Sequence, residues 1–597
     1  MAKLSTASIT YRIFPVQPSA HRYQVRLTIA VPSAEGQIVG LPAWIPGSYM
    51  VRNFARHIDR IHASSLGRSI VLTKLDKDRW RAAACLGALQ LDYEVYAWDL
   101  SVRGAHLDEQ HGFFNGCTVF LYVEGQENQP CAVEICRPEG LGYQYWRVMT
   151  SLREKSAKRY GFGWYEAENY DELIDHPVEM GNFICEKFVV CHVTHEIAIT
   201  GSVPKLDMLR LTRDLAKICA THIQLFEPKN RKAPVDRYVF LVTAVGEGYG
   251  GLEHRASTAL LCARADLPVQ GQIDACAGYR RFLGLCSHEY FHTWHVKRIK
   301  PAVFAPYDLH RENYTHLLWL FEGFTSYYDD LALLRSGVMT LTDYLDVLGK
   351  NITQVMRAPG RFKQTLAESS FDAWIKYYSP NENTPNATVS YYSKGALLAL
   401  ALDLSIRQAS QGRKSLDDVM RLLWQEYGRT FYQGDAQGLE EEHVIALFNR
   451  ATKLDLAPWL ARAVHSTQDL PLTELLQHAG FSVRADYAST MPSLGAQWHE
   501  GTLSLTYVYD GESAQQAGLS AGDTLVAIDG LRVQPRQVDI LLGRYRAGDM
   551  IDVHVFRRDE LRLFRVKLAS APASRYTITP ASGKHQSIGA WPAAISA

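Results

Sequence analysis

Two stretches near the start of the chain alternate between apolar and polar residues. Tyr23, Val25, Leu27, Ile29 and Val31 interleave with Arg22, Gln24, Arg26 and Thr28; Leu89, Leu91, Tyr93 and Val95 interleave with Gln90, Asp92 and Glu94. A period of two puts the apolar set on one face, so both read as half-buried strands. Pro42, Pro46 and Gly47 punctuate the interval between them as turns do. Residues 1–172 are therefore expected to form an N-terminal β-sandwich-like domain. Strand character resumes near 175, includes Arg237 to Val242, and reaches a glycine-rich turn at Gly246, Gly248, Gly250 and Gly251. Helical periodicity dominates from about 277 to 480, as in Lys394 to Ile406 and Ser415 to Tyr427. After Phe481 the pattern returns to β, and the Ala-, Ser- and Pro-rich segment 571–597 reads as a flexible tail.

A chain of 597 residues is too long for one core, so a multidomain α+β fold is expected. Lys plus Arg and Asp plus Glu number 63 each, which gives no global field favouring nucleic acid or an anionic membrane. No apolar run approaches bilayer-spanning length, and the stretch after Met1 lacks a secretory signal, so a cytoplasmic location is expected. The ten cysteines lie between Cys85 and Cys286 with no zinc-ribbon or CxxC spacing and read as buried, reduced thiols.

His288-Glu289-Tyr290-Phe291-His292 is an HExxH motif within an apolar helical stretch. Histidines at i and i+4 share a helical face, about 5–6 Å apart at Cβ, and can hold one tetrahedral metal. Glu289 is then placed to act as general base on a metal-bound water. Read alone, the pair could also be ordinary packed histidines. Downstream, Leu318-Trp319-Leu320-Phe321-Glu322-Gly323 is another apolar helical stretch carrying a carboxylate, and Glu322 completes a His2Glu set with one position left open. The third histidine that a metzincin needs at fixed spacing is absent. His295, on the same face, is assigned to packing. Asp329 is either a partner that orients a ligand histidine or a solvated helix charge. His192-Val193-Thr194-His195-Glu196 lies in a strand-like stretch without zincin order and reads as surface or packing.

HEYFH followed by Trp294 and Val296-Lys297-Arg298-Ile299-Lys300-Pro301, then LWLFEGFTSYY, resembles the glycyl aminopeptidase family of gluzincin metallopeptidases. The resemblance includes the early Trp44-Ile45-Pro46-Gly47-Ser48-Tyr49 segment. It implies a thermolysin-like α/β catalytic domain at 173–484, strand-rich to about 265 and helical from about 277, with one Zn2+ per chain. His295 departs from the family pattern, which has Asn there. By similarity, Glu253 in Gly250-Gly251-Leu252-Glu253-His254 anchors the free α-ammonium of a peptide, with Gly250 and Gly251 admitting its backbone. Without the resemblance Glu253 is only a loop carboxylate. Tyr391-Tyr392-Ser393-Lys394-Gly395 is similar to a YxKG element, which makes Tyr392 the oxyanion donor and Tyr391 the runner-up. Residues 488–570, around Gly518 to Gly530, look like a PDZ domain able to take a peptide or protein C-terminus. The implied function is removal of N-terminal residues, small ones such as Gly and Ala, from peptides with a free N-terminus. A PDZ-recruited endopeptidase and an inactive peptide-binding scaffold are the alternatives.

Overall fold

A computed structural model of the chain describes residues 7–272, 275–434, 436–487, 492–581 and 591–592. The fold is multidomain α+β, β-rich towards the N-terminus and mainly helical from residue 277 to 478. Two compact units share the chain. The first comprises Met1–Asn313, Ser336–Val338 and Trp424–Gly438; the second comprises Tyr314–Arg335, Met339–Leu423 and Leu439–Ala597.

In the first unit an eight-stranded sheet contains the adjacent strands Ile9–Gln17, Arg22–Ile29 and Leu89–Tyr96. The alternation holds: Tyr23, Val25, Leu27 and Ile29 are buried, and the polar residues between them are not. Antiparallel register sets Val25 opposite Tyr93 and Leu27 opposite Leu91 on the core face. On the other face Arg26 sits opposite Asp92, with Nε 2.6 Å from Oδ1. Val31 breaks the expectation. The strand ends at Ile29 and Val31 is exposed, because Pro32 has no N–H to continue a ladder.

A second, five-stranded sheet has the order Ile184–Val190, Val193–Thr200, Arg237–Val245, Ser257–Ala263, Tyr249–Glu253. Tyr249–Glu253 is thus an edge strand. Gly250 and Gly251 belong to this strand, and only 246–248 form the turn that had been expected to hold all four glycines. The ten cysteines are all free and only Cys276 is exposed, so they pack without pairing.

The second unit is tied together by a buried carboxylate. Asp403, on helix Ser393–Ala409, accepts from Arg407 Nε at 3.0 Å, the Leu416 N–H at 2.8 Å and the Tyr327 hydroxyl at 2.8 Å. It therefore links helices Leu318–Arg335, Ser393–Ala409 and Leu416–Leu423.

Residues 492–570 form a β-rich module with its own apolar core, including Leu505, Leu525, Ile551, Val553 and Val566. Its four-stranded sheet runs in the order Leu531–Arg532, Thr524–Ile528, Met550–Arg557, Glu560–Lys567. Strands Phe481–Tyr487 and Ala573–Pro580 bracket the module and pair antiparallel, with Phe481 opposite Pro580 and Tyr487 opposite Ala573. The segment expected to be a flexible tail therefore begins with an ordered strand. Pairing satisfies its backbone, Ile578 is buried, and the Trp591 indole N–H donates to the Tyr327 hydroxyl at 3.0 Å. Residues 582–590 and 593–597 of that tail lie outside the described residues. Among the described residues, no helix is long and apolar enough to cross a membrane.

Replacing Asp403 removes the carboxylate that pairs with the Arg407 guanidinium, which is 1% exposed. Asp403→Ala is expected to cost the helical unit about 3–5 kcal/mol in a denaturant titration. Asp403→Asn, which still accepts from the Leu416 N–H, should cost less.

Candidate active site

Helix Ala277–Phe291 carries His288 and Glu289, and His292 caps its C-terminus. The one-turn spacing brings the two imidazoles to 4.7 Å between centroids, with planes 84° apart. His292 Nδ1 lies 2.8 Å from the His295 carbonyl. A carbonyl can only accept, so Nδ1 carries the proton and Nε2 keeps its lone pair for a metal. His295 itself is fully buried with its ring edge-on to Phe291, in keeping with packing. What it gives the site is its backbone carbonyl, which any residue could supply.

The opposite face of this helix is locked into the unit. Tyr290 donates its hydroxyl to His195 Nε2 at 2.9 Å, while His195 Nδ1 donates to the Val193 carbonyl at 3.1 Å. Burial pushes His195 down to about 4, which keeps it neutral for this role. The decoy histidine is therefore a packing residue. Ser287 Oγ meets His222 Nε2 at 2.8 Å, and Trp294 stacks on Phe226.

The loop after the helix is strained: Val296 has φ = 118°, a region that β-branched residues avoid. Its neighbours hold it there. Arg298 donates to the carbonyls of Thr293, Arg255 and Pro234 at 2.7, 3.1 and 2.9 Å. Lys297 Nζ lies 2.9 Å from Asp175 Oδ1. The same carboxylate receives His254 Nδ1 at 3.0 Å and Arg255 Nε at 3.2 Å. Burial pushes Asp175 up, but Lys297, His254 and Arg255 outweigh it and hold the carboxyl well below its ordinary range. Burial lowers Lys297, and Asp175 together with Tyr432 and Glu253 more than offsets this, leaving the ammonium raised.

The edge strand supplies the next groups. A Cβ on Gly251 would lie 2.0 Å from Glu289 Oε1, so the general-base candidate fills the space that a side chain would take. Glu253, 4% exposed, faces Gly47, whose φ is +90° and whose Cβ would fall 2.4 Å from Glu253 Oε2. That contact explains the glycine in the early WIPGSY segment. Among the described residues none donates a hydrogen bond to the Glu253 carboxylate. Ligand atoms of Glu253, Glu289 and His292 all lie within 4.8 Å of one another.

In the second unit, Glu322 is buried on helix Leu318–Arg335, and Tyr392 caps helix Ser393–Ala409. The two helices cross at Gly323 and Gly395, where a Cβ on Gly323 would meet the Gly395 Cα at 2.6 Å. The Tyr392 hydroxyl is 3.1 Å from that of Tyr378. Tyr391 is fully buried; burial first, then Tyr378 and the Glu322 carboxylate, raise its pKa well above the ordinary tyrosine value. The first unit thus brings together Gly250, Gly251, Glu253, His288, Glu289 and His292, and the second carries Glu322 and Tyr392. Gly47, Asp175 and the backbone of His295 were not legible as site elements, since each acts through a contact distant in sequence or through its main chain.

Residues 10–182 match the Peptidase M61 N-terminal domain, and residues 281–398 match the M61 glycyl aminopeptidase domain. A crystal structure of an aminopeptidase N family protein from Idiomarina loihiensis is 40% identical, with TM-score 0.93, covering 98% of this chain and 99% of that one. An M1 zinc metallopeptidase from Deinococcus radiodurans, solved in mutant form with a Tyr-Ser-Ala substrate, is 15% identical with TM-score 0.47 over 78% of this chain and 94% of that one. No curated protein sequence matches. The M61 domain match and the 40% identical relative define a metallo-aminopeptidase, a hydrolase of peptide bonds. Within that class the chain belongs to the aminopeptidase N family, as its 40% identical relative shows, and its two matched domains are those of M61 peptidases.

Two outcomes follow from this geometry. Asp175→Ala leaves the Lys297 ammonium, 2% exposed, without its counter-charge, at an expected cost of about 3–5 kcal/mol. Asp175 has a depressed pKa, so its contribution is complete above about pH 4 and lost as the pH falls through the folded value. Lys297 has a raised pKa, so its share is complete below about pH 10.4 and lost at higher pH. Melting curves across pH should therefore show the largest gap between wild type and variant within that window. Gly251→Ala should keep the circular dichroism of the wild type but displace Glu289, lowering kcat for an alanine anilide by about 100-fold.

Proposed function

We propose that the chain is a zinc-dependent aminopeptidase that removes small N-terminal residues, Gly and Ala, from peptides. One Zn2+ per chain is held by His288, His292 and Glu322. The reading is supported most by the convergence of Glu253, Glu289 and His292 within 4.8 Å beside the edge strand of the five-stranded sheet. An amine anchor, a base and a metal ligand that close together leave room for only one residue ahead of the scissile bond. The donor set suits zinc: the His295 carbonyl holds the Nδ1–H of His292, the tautomer that binds a metal through Nε2, and a His2Glu set leaves a position open. When bound, zinc lowers the pKa of water towards neutrality and polarises the scissile carbonyl.

The protein groups have separate tasks. Glu253 takes the substrate α-ammonium through a charge-assisted bond and fixes the cut one residue in. Gly250 and Gly251 let the substrate backbone run close to the edge strand. Glu289 takes the proton of the attacking water and returns it to the leaving amine. Tyr392, whose position matches the tyrosine of the YxKG element, donates its hydroxyl to the developing oxyanion. The preference for small residues draws on the glycyl aminopeptidase description of the matched domain. The module at 492–570 is read as a PDZ domain that takes a peptide or protein C-terminus by strand addition.

Hydrolysis of glycine and alanine anilides is the direct test, run beside their N-acetylated forms. Only the free-amine substrates should be cut. Chelation should abolish turnover and zinc should restore it. Glu289→Gln should lower kcat by about 100-fold or more while the bound zinc, measured by mass spectrometry, stays at one per chain. Equal cleavage of acetylated substrates would refute the role given to Glu253 and favour an endopeptidase.

A further inference from the structure

Residues on the edge strand Tyr249–Glu253 have a fixed order relative to the reaction, and this order exposes a group with no role so far. Near the strand's C-terminal end, Glu253 marks the substrate amine. Two residues earlier, Gly251 lies against Glu289 and marks the scissile bond. An added antiparallel substrate would therefore run from Glu253 towards Gly250, with its leaving-group side near Gly250. The guanidinium of Arg103 is at that position. Its Nη1 lies 3.8 Å from the point where a Gly250 Cβ would project, and its Nη2 donates to the Gly251 carbonyl at 3.4 Å.

The carbonyl Arg103 uses belongs to the open edge. The His254 N–H bonds to the Ser257 carbonyl, which starts the ladder of this hairpin. Hydrogen-bonded pairs alternate in an antiparallel ladder, so Gly251 opposite Leu260 falls at a non-bonded pair, and its N–H and C=O point away from the partner strand. Arg103 therefore takes an outward acceptor of the edge strand, and it does so with a positive charge. Among the described residues no carboxylate lies within ion-pair distance of Arg103, and its Nε is buried without a hydrogen-bond partner. An unsatisfied buried guanidinium N–H in a structured site calls for an explanation. The turn that bears it is not loose: the buried Asn115 amide donates to the Val102 and Gly104 carbonyls at 2.9 and 3.1 Å.

We propose that Arg103 is a specificity residue that receives a substrate carboxylate just beyond the scissile bond, making short peptides the preferred substrates. The inference rests on the aminopeptidase reading above. The carboxylate is the C-terminus of a dipeptide or, with the same chemistry, an acidic side chain following the cut. Guanidinium pairs well with carboxylate through two parallel N–H bonds, and one such charge-assisted contact is worth about a tenfold preference or more. Because Arg103 also occupies the outward Gly251 carbonyl, a longer chain loses that acceptor on the strand edge.

The test compares kcat/KM for Ala-Ala, Ala-Ala-amide and Ala-Asp-amide in the wild type, Arg103→Met and Arg103→Lys. In the wild type Ala-Ala should exceed its amide by about tenfold or more. Arg103→Met should bring that ratio within about twofold, and Arg103→Lys should keep part of it. A ratio within one variant cancels any general loss of activity from disturbing the strand, and the wild-type ratio stands even if a variant fails to fold. Preference for Ala-Asp-amide with no gain for Ala-Ala over its amide would assign the carboxylate to the side chain and still support the charge recognition. Equal rates for all three in the wild type, with an alanine anilide turned over, would overturn the role of Arg103 alone. No turnover of anilide or peptide would overturn the aminopeptidase reading, and this inference with it.

Discussion

The Asp175 carboxylate accepts hydrogen bonds from three side chains, two of them cationic, and each donor leads to a different part of the site. Lys297 belongs to the loop that presents the His295 carbonyl to His292. His254 directly follows Glu253, and Arg255 turns the hairpin that returns the edge strand to the sheet. Asp175 itself follows the short helix Tyr170–Ile174 at the boundary between the first β region and the catalytic sheet. One buried anion therefore ties the loop that orients His292 to the strand end that carries Glu253. Ionising such groups away from water is costly, and the cost is offset here because Lys297, His254 and Arg255 all donate to the one carboxylate. The strained φ of Val296 persists because the surrounding loop is fixed so completely.

Elements with a local code were legible from the residues. The strands Arg22–Ile29 and Leu89–Tyr96 emerged from alternation because burial on one face of a sheet repeats every second residue. His288 and His292 could be paired because one helical turn alone brings them together. The contacts of Gly47 and Asp175 could not be read this way, since a sequence separation of 206 residues lies between Gly47 and the Glu253 carboxylate it meets. Local pattern also misplaced Val31, the two edge-strand glycines and the strand Ala573–Pro580. In each case a neighbour in space, or the lack of an N–H on Pro32, decided the outcome over composition.

Glycine has the same function in both units, although the packed partners differ. Gly251 makes room for a carboxylate, and Gly323 with Gly395 lets two helices touch backbone to backbone. Motif glycines such as those in LFEGF and YSKG thus fix the spacing on which their charged or aromatic neighbours depend. A motif of this type specifies distances as much as chemistry.

The strand pair Phe481–Tyr487 and Ala573–Pro580 sets the connectivity of the module between them. Because Tyr487 lies opposite Ala573, the module leaves and rejoins the helical unit at adjacent points. The 492–570 segment is thus built as a cassette on a two-strand stem. Another domain whose own ends lie side by side could be grafted onto that stem without altering the chain's path through the helices.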